Sequence, residues 1–312
     1  MRRKVRRLLL MVSVIALCAG GALYVGGATF TQLLLGGVLV GGLYTVTALG
    51  LALMLGVMKI LNFAHGEFLI LAAYMTFWLS RLMGVDPFIT LAVTCPTLFL
   101  FGMLCYRVTL SRTVRKGFDQ PVVVTFGLML FLQNVYTLLW TGNTRAVLTS
   151  YSTNTFIVGG VTITILRLVV FILSIAAVLI FHIFLSKAYF GKLIRATMQD
   201  YEVAELQGVN TSRVYLLAFG IGSALCGFAG TLISLMYAFE PSVGPLYLLK
   251  SLTVVVLAGM GSFLPLALTG VIIGIAESFG SFLVGGGFRD AIPFVLFLLT
   301  LLLKPKGLFG RY

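Results

Sequence analysis

The amino-acid sequence predicts an all-α fold, a polytopic transmembrane bundle of about ten helical spans with both termini in the cytoplasm. Three observations carry this prediction: an apolar composition, a series of long apolar runs and an uneven distribution of basic residues. Of the 312 residues, 60% are hydrophobic, 10% are charged and 35 are glycine. Soluble domains carry about 25% charged residues, and disordered chains combine low hydrophobicity with high charge. With a mean hydropathy of +1.09, the chain is suited to a lipid bilayer rather than to water.

Each predicted span is a run of about 20 mostly apolar residues, the length that crosses a bilayer as a helix. If successive runs cross in alternate directions, 17 of the 22 Lys and Arg residues fall on one side, which includes both terminal tails. Basic residues accumulate in cytoplasmic links, so this side is predicted to be the cytoplasm. The ten runs cover about residues 8–27, 30–57, 63–83, 87–106, 121–141, 163–186, 214–236, 246–263, 265–284 and 289–303.

The first 27 residues form a basic leader followed by the first run, with Arg or Lys at positions 2, 3, 4, 6 and 7. A basic start, an apolar stretch and small residues at 18–21 are also typical of a secretory signal peptide. Leu17 stands where a lipoprotein signal has a small residue before its cysteine, which favours a retained helix. Residues 28–312 are predicted to form one transmembrane domain, whose orientation is the same in either case.

No motif for a catalytic, redox or metal site is present. The four cysteines lie scattered in apolar runs, without CxxC or Cys/His spacing. No GxxxxGK[ST] phosphate-binding loop occurs, so the chain is not expected to hydrolyse ATP itself. We therefore predict no catalytic residue, no metal site and no cofactor bound by this chain. In a membrane chain the net charge of +13 reflects orientation rather than binding to nucleic acid.

The stretch ILNFAHGEFLILAAY at 60–74 places polar residues at the start of an apolar span. Ionisable groups at membrane depth are costly and usually face a cavity or a partner, and helices that begin within a membrane often meet polar solutes. Asn62, His65, Gly66 and Glu67 are therefore candidates for lining a translocation path. The alternative is that Asn62 caps the helix and Glu67 interacts with its positive end, both at the cytoplasmic surface.

Gln133, Asn134 and Glu277 are the other polar residues singled out within apolar runs, and they too are candidate path residues. Each one alone is more often a group that hydrogen-bonds between helices than a ligand. Such groups are too few to form an ion-coupling relay, which weighs against a proton-driven or sodium-driven carrier.

Small residues recur at four-residue spacing within several runs. In lipid this spacing lets two helix backbones approach closely, so it predicts a tightly packed bundle. The sets are Gly37/Gly41, Ser223/Gly227/Thr231 and Gly270/Gly274/Ser278.

The link between the sixth and seventh runs contains GKLIRATMQDYEVAELQGVN at 191–210. It carries Asp200, Glu202 and Glu205, three of only nine acidic residues in the chain. Residues that favour helices extend from Lys192 to Gln207, and Gly208 can end such a helix in a left-handed conformation. This helix is too polar to span, so it is predicted to lie at the cytoplasmic face. It is either a solvated loop or a docking surface for another protein.

These stretches resemble permease subunits of branched-chain amino acid ABC importers. NFAHGE with the following Ala-Tyr (62–67 and 73–74) is similar to that family's most characteristic run, and RATMQDYEVAELQGVN (195–210) resembles its cytoplasmic loop. The loop is similar to the importer coupling motif Glu-Ala-Ala-x3-Gly as Glu202, Val203, Ala204 and Gly208, with Val203 in place of the first alanine. The segments 257–277 and 304–311 extend the resemblance, which covers the chain from about residue 31 onward.

The resemblance implies a non-catalytic inner-membrane subunit that pairs with a second permease, identical or related. It also implies two cytoplasmic subunits that bind and use ATP, and a periplasmic substrate-binding protein. The residues placed at the ATPase interface are Arg195, Asp200, Glu202, Ala204, Glu205 and Gly208. The implied substrate is a branched-chain or other small amino acid, and related permeases carry urea, short amides or aromatic acids. A stand-alone secondary transporter and a purely structural membrane subunit are the other classes considered.

Overall fold

The computed structural model of the chain describes residues 26–309, except for 115, 116, 118, 150, 260–262, 305 and 306. The basic leader, nearly all of the first predicted run and the choice between a retained helix and a signal peptide lie outside the described residues. Eleven α-helices occur in the described part. They are α1 (Gly27–Met58), α2 (His65–Met83), α3 (Leu91–Cys105), α4 (Asp119–Trp140), α5 (Ile165–Lys187), α6 (Tyr189–Gln199), α7 (Tyr201–Leu206), α8 (Thr211–Met236), α9 (Gly244–Ala258), α10 (Phe263–Val284) and α11 (Ala291–Leu303).

Short irregular helices continue or precede three of these elements. A π-helical turn, Tyr106–Leu110, extends α3, and 3₁₀ turns at Pro241–Val243 and Gly286–Phe288 precede α9 and α11. Within the described residues, seven helices are long and apolar enough to cross a bilayer: α1, α4, α5, α8, α10, α3 with its π turn and α9 with its 3₁₀ turn. The predicted all-α polytopic bundle is therefore confirmed. Helix α11 has 13 residues, and α2 carries ionisable residues near both ends.

A small β-hairpin interrupts the helical pattern in the link between α4 and α5. Strands β1 (Thr155–Val158) and β2 (Val161–Thr164) pair antiparallel, with Thr155 opposite Thr164. Gly159 and Gly160 form the two-residue turn, and both have positive φ angles, 59° and 81°. Such a turn matches the twist of the strands, and glycine adopts it without a steric penalty. The hairpin lies almost entirely between the predicted runs 121–141 and 163–186, where no strand was predicted.

Helices α1 and α8 form the centre of the bundle. Helix α1 packs against α10, α8, α5 and α9, and α8 packs against α3 and α2. The outer helices expose large apolar side chains, among them Leu138 on α4 and Ile180 on α5, which are 84% and 67% exposed. Apolar surface of this extent is suited to contact with lipid or with another membrane subunit.

The predicted close packing of small residues is confirmed for α1 against α10. A Cβ atom built on Gly37 would lie 2.6 Å from Ile275 Cα, and one built on Gly41 would lie 2.5 Å from Val271 Cα. On the other helix, a Cβ built on Gly274 would lie 2.3 Å from the carbonyl oxygen of Gly37. No side chain fits at these positions unless the backbones separate, so glycine sets the distance between the two helices.

The set Ser223/Gly227/Thr231 likewise faces α3. A Cβ built on Gly227 would lie 2.9 Å from the carbonyl oxygen of Thr94. The hydroxyl of Thr231 is hydrogen-bonded to those of Thr76 on α2 (2.9 Å) and Thr94 on α3 (3.0 Å). Three helices are therefore joined by small side chains and short hydroxyl bonds, which is typical of packing in lipid.

Candidate functional site

Helix α2 begins inside the bundle rather than at its surface. Its first residue, His65, contacts Thr47 of α1 and Cys226 of α8. Thr47 lies eleven residues before the end of α1 at Met58, and Cys226 lies fifteen residues after the start of α8 at Thr211. At 1.5 Å per helical residue, His65 is therefore about 16–22 Å inside this end of the bundle. The preceding residues 59–64 cross that depth without helical structure.

The side chains of His65 and Asn62 are buried and hydrogen-bonded. His65 Nε2 lies 2.8 Å from the carbonyl oxygen of Thr47, so this nitrogen donates a hydrogen, and Nδ1 lies 3.3 Å from the Cys226 sulfur. The Asn62 side-chain oxygen accepts from the backbone N–H of Ala64, 3.1 Å away. Asn62 thus stabilises the turn immediately before α2, two residues before the N-cap position, Ala64. Both residues fix the position at which the chain becomes helical.

Gly66 and Glu67 meet the first residue of α9, and we call Gly66, Glu67 and Gly244 the α2–α9 junction. A Cβ built on Gly66 would lie 1.9 Å from the carbonyl oxygen of Gly244, which is the tightest glycine contact in the described chain. A Cβ built on Gly244 would lie 2.2 Å from Glu67 Oε1. The Glu67 carboxyl group therefore fills the space that a side chain at 244 would need. It lies at the positive end of the α9 dipole.

The Glu67 carboxyl group is fully buried, and neither oxygen has a hydrogen-bond partner among the described residues. Its backbone carbonyl accepts from the Tyr136 hydroxyl, 3.3 Å away. A buried carboxyl group without a partner is costly in a membrane, and groups of this kind usually serve a ligand or a change of state. Of the predicted path residues that are buried in the described structure, Glu67 is thus the one whose side-chain polar atoms have no partner.

Gln133 and Asn134 lie on α4, close along the helix to Tyr136, but they do not join the α2–α9 junction. Asn134 is exposed, and its amide nitrogen donates to the carbonyl oxygen of Leu130 in the same helix, 2.7 Å away. Gln133 is half-buried. Asn134 therefore presents a polar side chain at an outer face of the chain, next to exposed apolar residues such as Phe131.

Glu277 belongs to a separate group of buried charges, the ion network of Glu277, Lys250, Arg289 and Asp290. Its carboxylate accepts from the Tyr44 hydroxyl at 2.7 Å, pairs with Lys250 Nζ at 3.5 Å, and is hydrogen-bonded to Arg289 Nε. Lys250 also pairs with Asp290 at 2.6 Å. Two acids and two bases balance each other, so Glu277 is occupied by protein groups, and no hydrogen bond or ion pair among the described residues joins it to Glu67.

The network joins α1, α9, α10 and the turn before α11, and the sequence analysis did not identify its basic members as functional. Lys250 and Arg289 are two of the five Lys and Arg residues that the alternating runs leave on the predicted non-cytoplasmic side. A signal was available, since Lys250 lies inside an apolar run in a chain with an acid, Glu277, inside another. Gly244 was missed as well. Its only signal is the Pro-Ser-Val-Gly-Pro sequence at 241–245, which breaks regular structure before a helix.

The predicted single helix from Lys192 to Gln207 is wrong, because the structure has two helices, α6 and α7, that meet at Asp200. Asp200 is extended (φ −155°), and its side chain accepts from the backbone N–H groups of Glu202 and Val203 at 3.0 and 3.1 Å. This N-cap ends one helix and starts the next, since aspartate side chains compete with the backbone for helical hydrogen bonds. Gly208 has a φ of +84°, as its predicted role required.

The remaining residues of the 189–208 segment divide into anchored and exposed groups. Ala204 is buried, Arg195 Nη2 donates to the carbonyl oxygen of Ser186 at 3.2 Å, and Glu205 accepts from the Thr211 hydroxyl. Glu202 is exposed, and Leu206 is 85% exposed. A rigid backbone thus presents an acidic and apolar surface, which is suited to docking another protein.

A cavity of about 640 Å³ separates the 189–208 segment from the residues that lead to α2. Lys59 and Ile60 line one part of it, and Thr197 and Tyr201 line another. Lys59 follows α1 in a left-handed conformation, with a φ of 55° that is unusual for a residue other than glycine. The two candidate regions therefore face a common space.

Comparisons with known proteins match nearly the whole chain. The family described as "Branched-chain amino acid transport system / permease component" matches residues 33–301. The high-affinity branched-chain amino acid transport system permease protein BraD of Pseudomonas aeruginosa is 31% identical over 90% of this chain and 96% of that protein. The protein of the same description named LivH from Escherichia coli is also 31% identical, with the same coverage. No solved structure matches the chain at a significant level.

Proposed function

This chain belongs to the family of permease components of branched-chain amino acid transport systems, and we propose that it carries branched-chain or other small amino acids across the inner membrane. It does so as one permease subunit of an ABC importer. The observation that carries the proposal is the family match over residues 33–301, which includes both the α2–α9 junction and the 189–208 segment. The chain is proposed to have no enzymatic activity and to bind no cofactor itself, with ATP used by partner subunits.

The proposed topology has ten spans, with both termini in the cytoplasm and the leader at 1–27 retained as the first helix. The distribution of Lys and Arg supports this orientation, which places the 189–208 segment on the cytoplasmic side and the β-hairpin outside. Helix α2 enters this count as a helix that starts within the membrane, continued towards the cytoplasm by residues 59–64. Broken helices of this kind are common at transport sites.

We propose that one of the two cytoplasmic ATPases docks on the 189–208 segment, at a surface formed by Glu202, Glu205 and Leu206 and held by Asp200 and Ala204, and that the other docks on the second permease. Arg195 and Gly208 would fix the two ends of this surface. Movement of α7 would act through the shared cavity on Lys59 and Ile60, and so on the start of α2. This is a two-state change biased by nucleotide.

The candidate path residues then have different roles. Asn62, His65 and Gly66 hold the start of α2, and Glu67 faces the translocated solute. Gln133 and Asn134 lie on the face of α4 where the second permease, identical or related, would pack, because a polar amide facing lipid is costly. Glu277 positions α9 through Lys250. A periplasmic binding protein would deliver the solute on the side of the β-hairpin.

The proposal is tested by charge reversal at the docking surface, with Glu202→Lys in the complete transporter reconstituted in proteoliposomes. ATP-driven leucine uptake should fall about tenfold or more, because a like charge then faces the surface that binds the acidic segment. The control is Asp119→Lys, the same charge change at the exposed first turn of α4 on the same predicted side. Leucine flux through the chain alone, without nucleotide, would instead identify a secondary transporter.

A further inference from the structure

Four buried polar groups without hydrogen-bond partners lie along one line of the bundle, and only Glu67 among them was predicted to line a translocation path. Among the described residues, the Glu67 carboxyl oxygens, the Tyr74 hydroxyl, the Trp78 indole N–H and the Arg145 Nε all lack a partner. Glu67 is placed in the proposed path, whereas Tyr74, Trp78 and Arg145 have no assigned role. Native structures leave few buried polar groups unpaired, so four in one region require an explanation.

Helical geometry aligns the three α2 residues. At 100° per residue, position 74 lies about 20° to one side of position 67 around the helix axis, and position 78 lies about 20° to the other side. All three residues therefore share one face of α2. The stripe rises about 16 Å from Glu67 to Trp78. Ser80 is a useful contrast, since its hydroxyl is also buried and unpaired, but it lies on the opposite side of α2.

Arg145 closes the stripe at the end away from Glu67. Its guanidinium lies 5.2 Å from the ring centroids of both Phe77 and Trp78, and its Nη2 donates to the carbonyl oxygen of Trp140 at 2.9 Å. The backbone of Arg145 pairs with that of Phe239 through two hydrogen bonds of 2.8 Å. The link after α4 is thereby tied to the residues that descend from α8 to Gly244.

The walls of the stripe are aromatic. The Tyr74 ring stacks on Trp140, with centroids 4.2 Å apart, and meets Phe239 edge to face at 5.0 Å. Apolar walls with a few convergent polar groups are the usual lining of a small-molecule site. A carboxyl group at one end and a guanidinium group at the other complement the ammonium and carboxylate groups of an amino acid, and the aromatic surface complements an apolar side chain.

We propose that this stripe is the access route of the solute within this chain, and that it recognises amino acids with apolar side chains as zwitterions. Arg145 binds the carboxylate of the solute first. The Tyr74 hydroxyl and the Trp78 N–H then donate hydrogen bonds to this carboxylate as the solute moves inward, and Glu67 binds the ammonium group at the inner end. In the described conformation the route is closed, because Tyr74 is buried against Phe239 and the α2–α9 junction is in contact. Separation of the 237–244 residues from α2 opens it.

The inference rests on the proposed transport function. Thiol labelling tests the access route without measuring transport, so failure of the route can be distinguished from failure of the transport function. The variants Tyr74→Cys and Ser80→Cys are each prepared in the complete transporter. The parental complex is the control, because it gives the background reaction of the native cysteines. A small methanethiosulfonate reagent carrying an ammonium group is added from the side of the binding protein and compared with its sulfonate counterpart. Tyr74→Cys should react with either reagent about tenfold faster than the parental complex does, and Glu67→Gln should lower the rate with the cationic reagent relative to the rate with the sulfonate. Ser80→Cys should react no faster than the parental complex.

Uptake measurements on conservative variants keep the test valid if a cysteine variant folds poorly. Glu67→Gln should raise the KM for leucine about tenfold or more, since a charge-assisted hydrogen bond is lost, and Tyr74→Phe should raise it less. Ser80→Ala should transport like the parent. An unreactive Tyr74→Cys in every nucleotide state, or parental KM values in both conservative variants, would overturn the route while leaving ATP-driven uptake intact. Absence of ATP-driven uptake in the parental complex would instead refute the transport function.

Discussion

Replacement of Gly66 by alanine tests whether α2 and α9 meet inside the bundle. The added methyl group would lie 1.9 Å from the carbonyl oxygen of Gly244 and 2.5 Å from its carbonyl carbon. Ordinary contact needs about 3.4 Å, so one helix start must move by about 1.5 Å. Both obstructing atoms belong to the backbone, and no rotation of a side chain can relieve the contact.

The free energy of unfolding should decrease as a result. Overpacking of a well-packed interior costs about 1–3 kcal/mol, and alanine in place of a helical glycine offsets at most about 1 kcal/mol of this. Because the obstructing atoms are backbone, we expect the upper part of that range. A displaced α9 start should also move the surroundings of the Glu67 carboxyl group, so leucine uptake should fall together with stability.

The measurement is thermal unfolding of the purified transporter followed by tryptophan fluorescence. The chain has two tryptophans, Trp78 and Trp140, and Trp140 stacks on Tyr74 of α2. The control is Gly36→Ala, because a Cβ at 36 would meet only the Ser278 hydroxyl at 3.9 Å. If Gly66→Ala unfolds at or above the parental midpoint and transports normally, the close approach of α2 and α9 is refuted.

Two further changes test the packing of the bundle. Glu277→Gln should lower the free energy of unfolding by about 3 kcal/mol, because it leaves two bases, Lys250 and Arg289, with one acid, Asp290, in the ion network, and thermal unfolding of the purified chain measures this loss. An unchanged midpoint would show that the ion network is not formed. Gly37→Ala should destabilise the chain relative to Gly36→Ala, since only the former obstructs the α10 backbone, and equal midpoints for the two variants would contradict the predicted contact.

The helical framework could be predicted from the sequence because lipid imposes a simple requirement. Every backbone polar group must be satisfied within the segment, so long apolar runs become helices. The same reasoning explains why four-residue glycine spacing correctly indicated the packing of Gly37 and Gly41 against α10. Both inferences depend on local sequence alone, without knowledge of which helices are neighbours.

The depth at which α2 begins could not be predicted, because the local sequence is compatible with two positions. Asn62 followed by an acid at 67 has the pattern of a helix start at a membrane surface, and the same pattern suits a helix that starts within the bundle. Only the contacts of His65 with α1 and α8 distinguish these positions, and they join residues far apart in sequence. The partner of Gly66 lies 178 residues further along the chain, at Gly244.

The division at Asp200 shows a different limit. Summed helix propensity favours one continuous helix from 192 to 207, since a single aspartate lowers it only slightly. The structure follows the stronger local effect, in which the Asp200 side chain satisfies two backbone N–H groups and redirects the chain. Capping competes with propagation at each aspartate, and the sequence does not show which prevails when tertiary contacts, such as burial of Ile194, hold the first helix in place.

The connection between the two candidate regions follows from what residues 59–64 can and cannot do. Their end residues bond into the neighbouring helices, Lys59 N–H to the Leu55 carbonyl and Phe68 N–H to the Ala64 carbonyl. Between these ends the segment is not helical, Ile60 and Asn62 are buried, and the Leu61 carbonyl accepts from Thr125 of α4 at 3.1 Å. A shift of α7 into the shared cavity would bring it towards Lys59 and Ile60, which line the same cavity. Because these residues lead to His65, a displacement at the 189–208 segment would be expressed as movement of the α2 start against α9. Weakly structured segments between rigid helices are where such movement is absorbed.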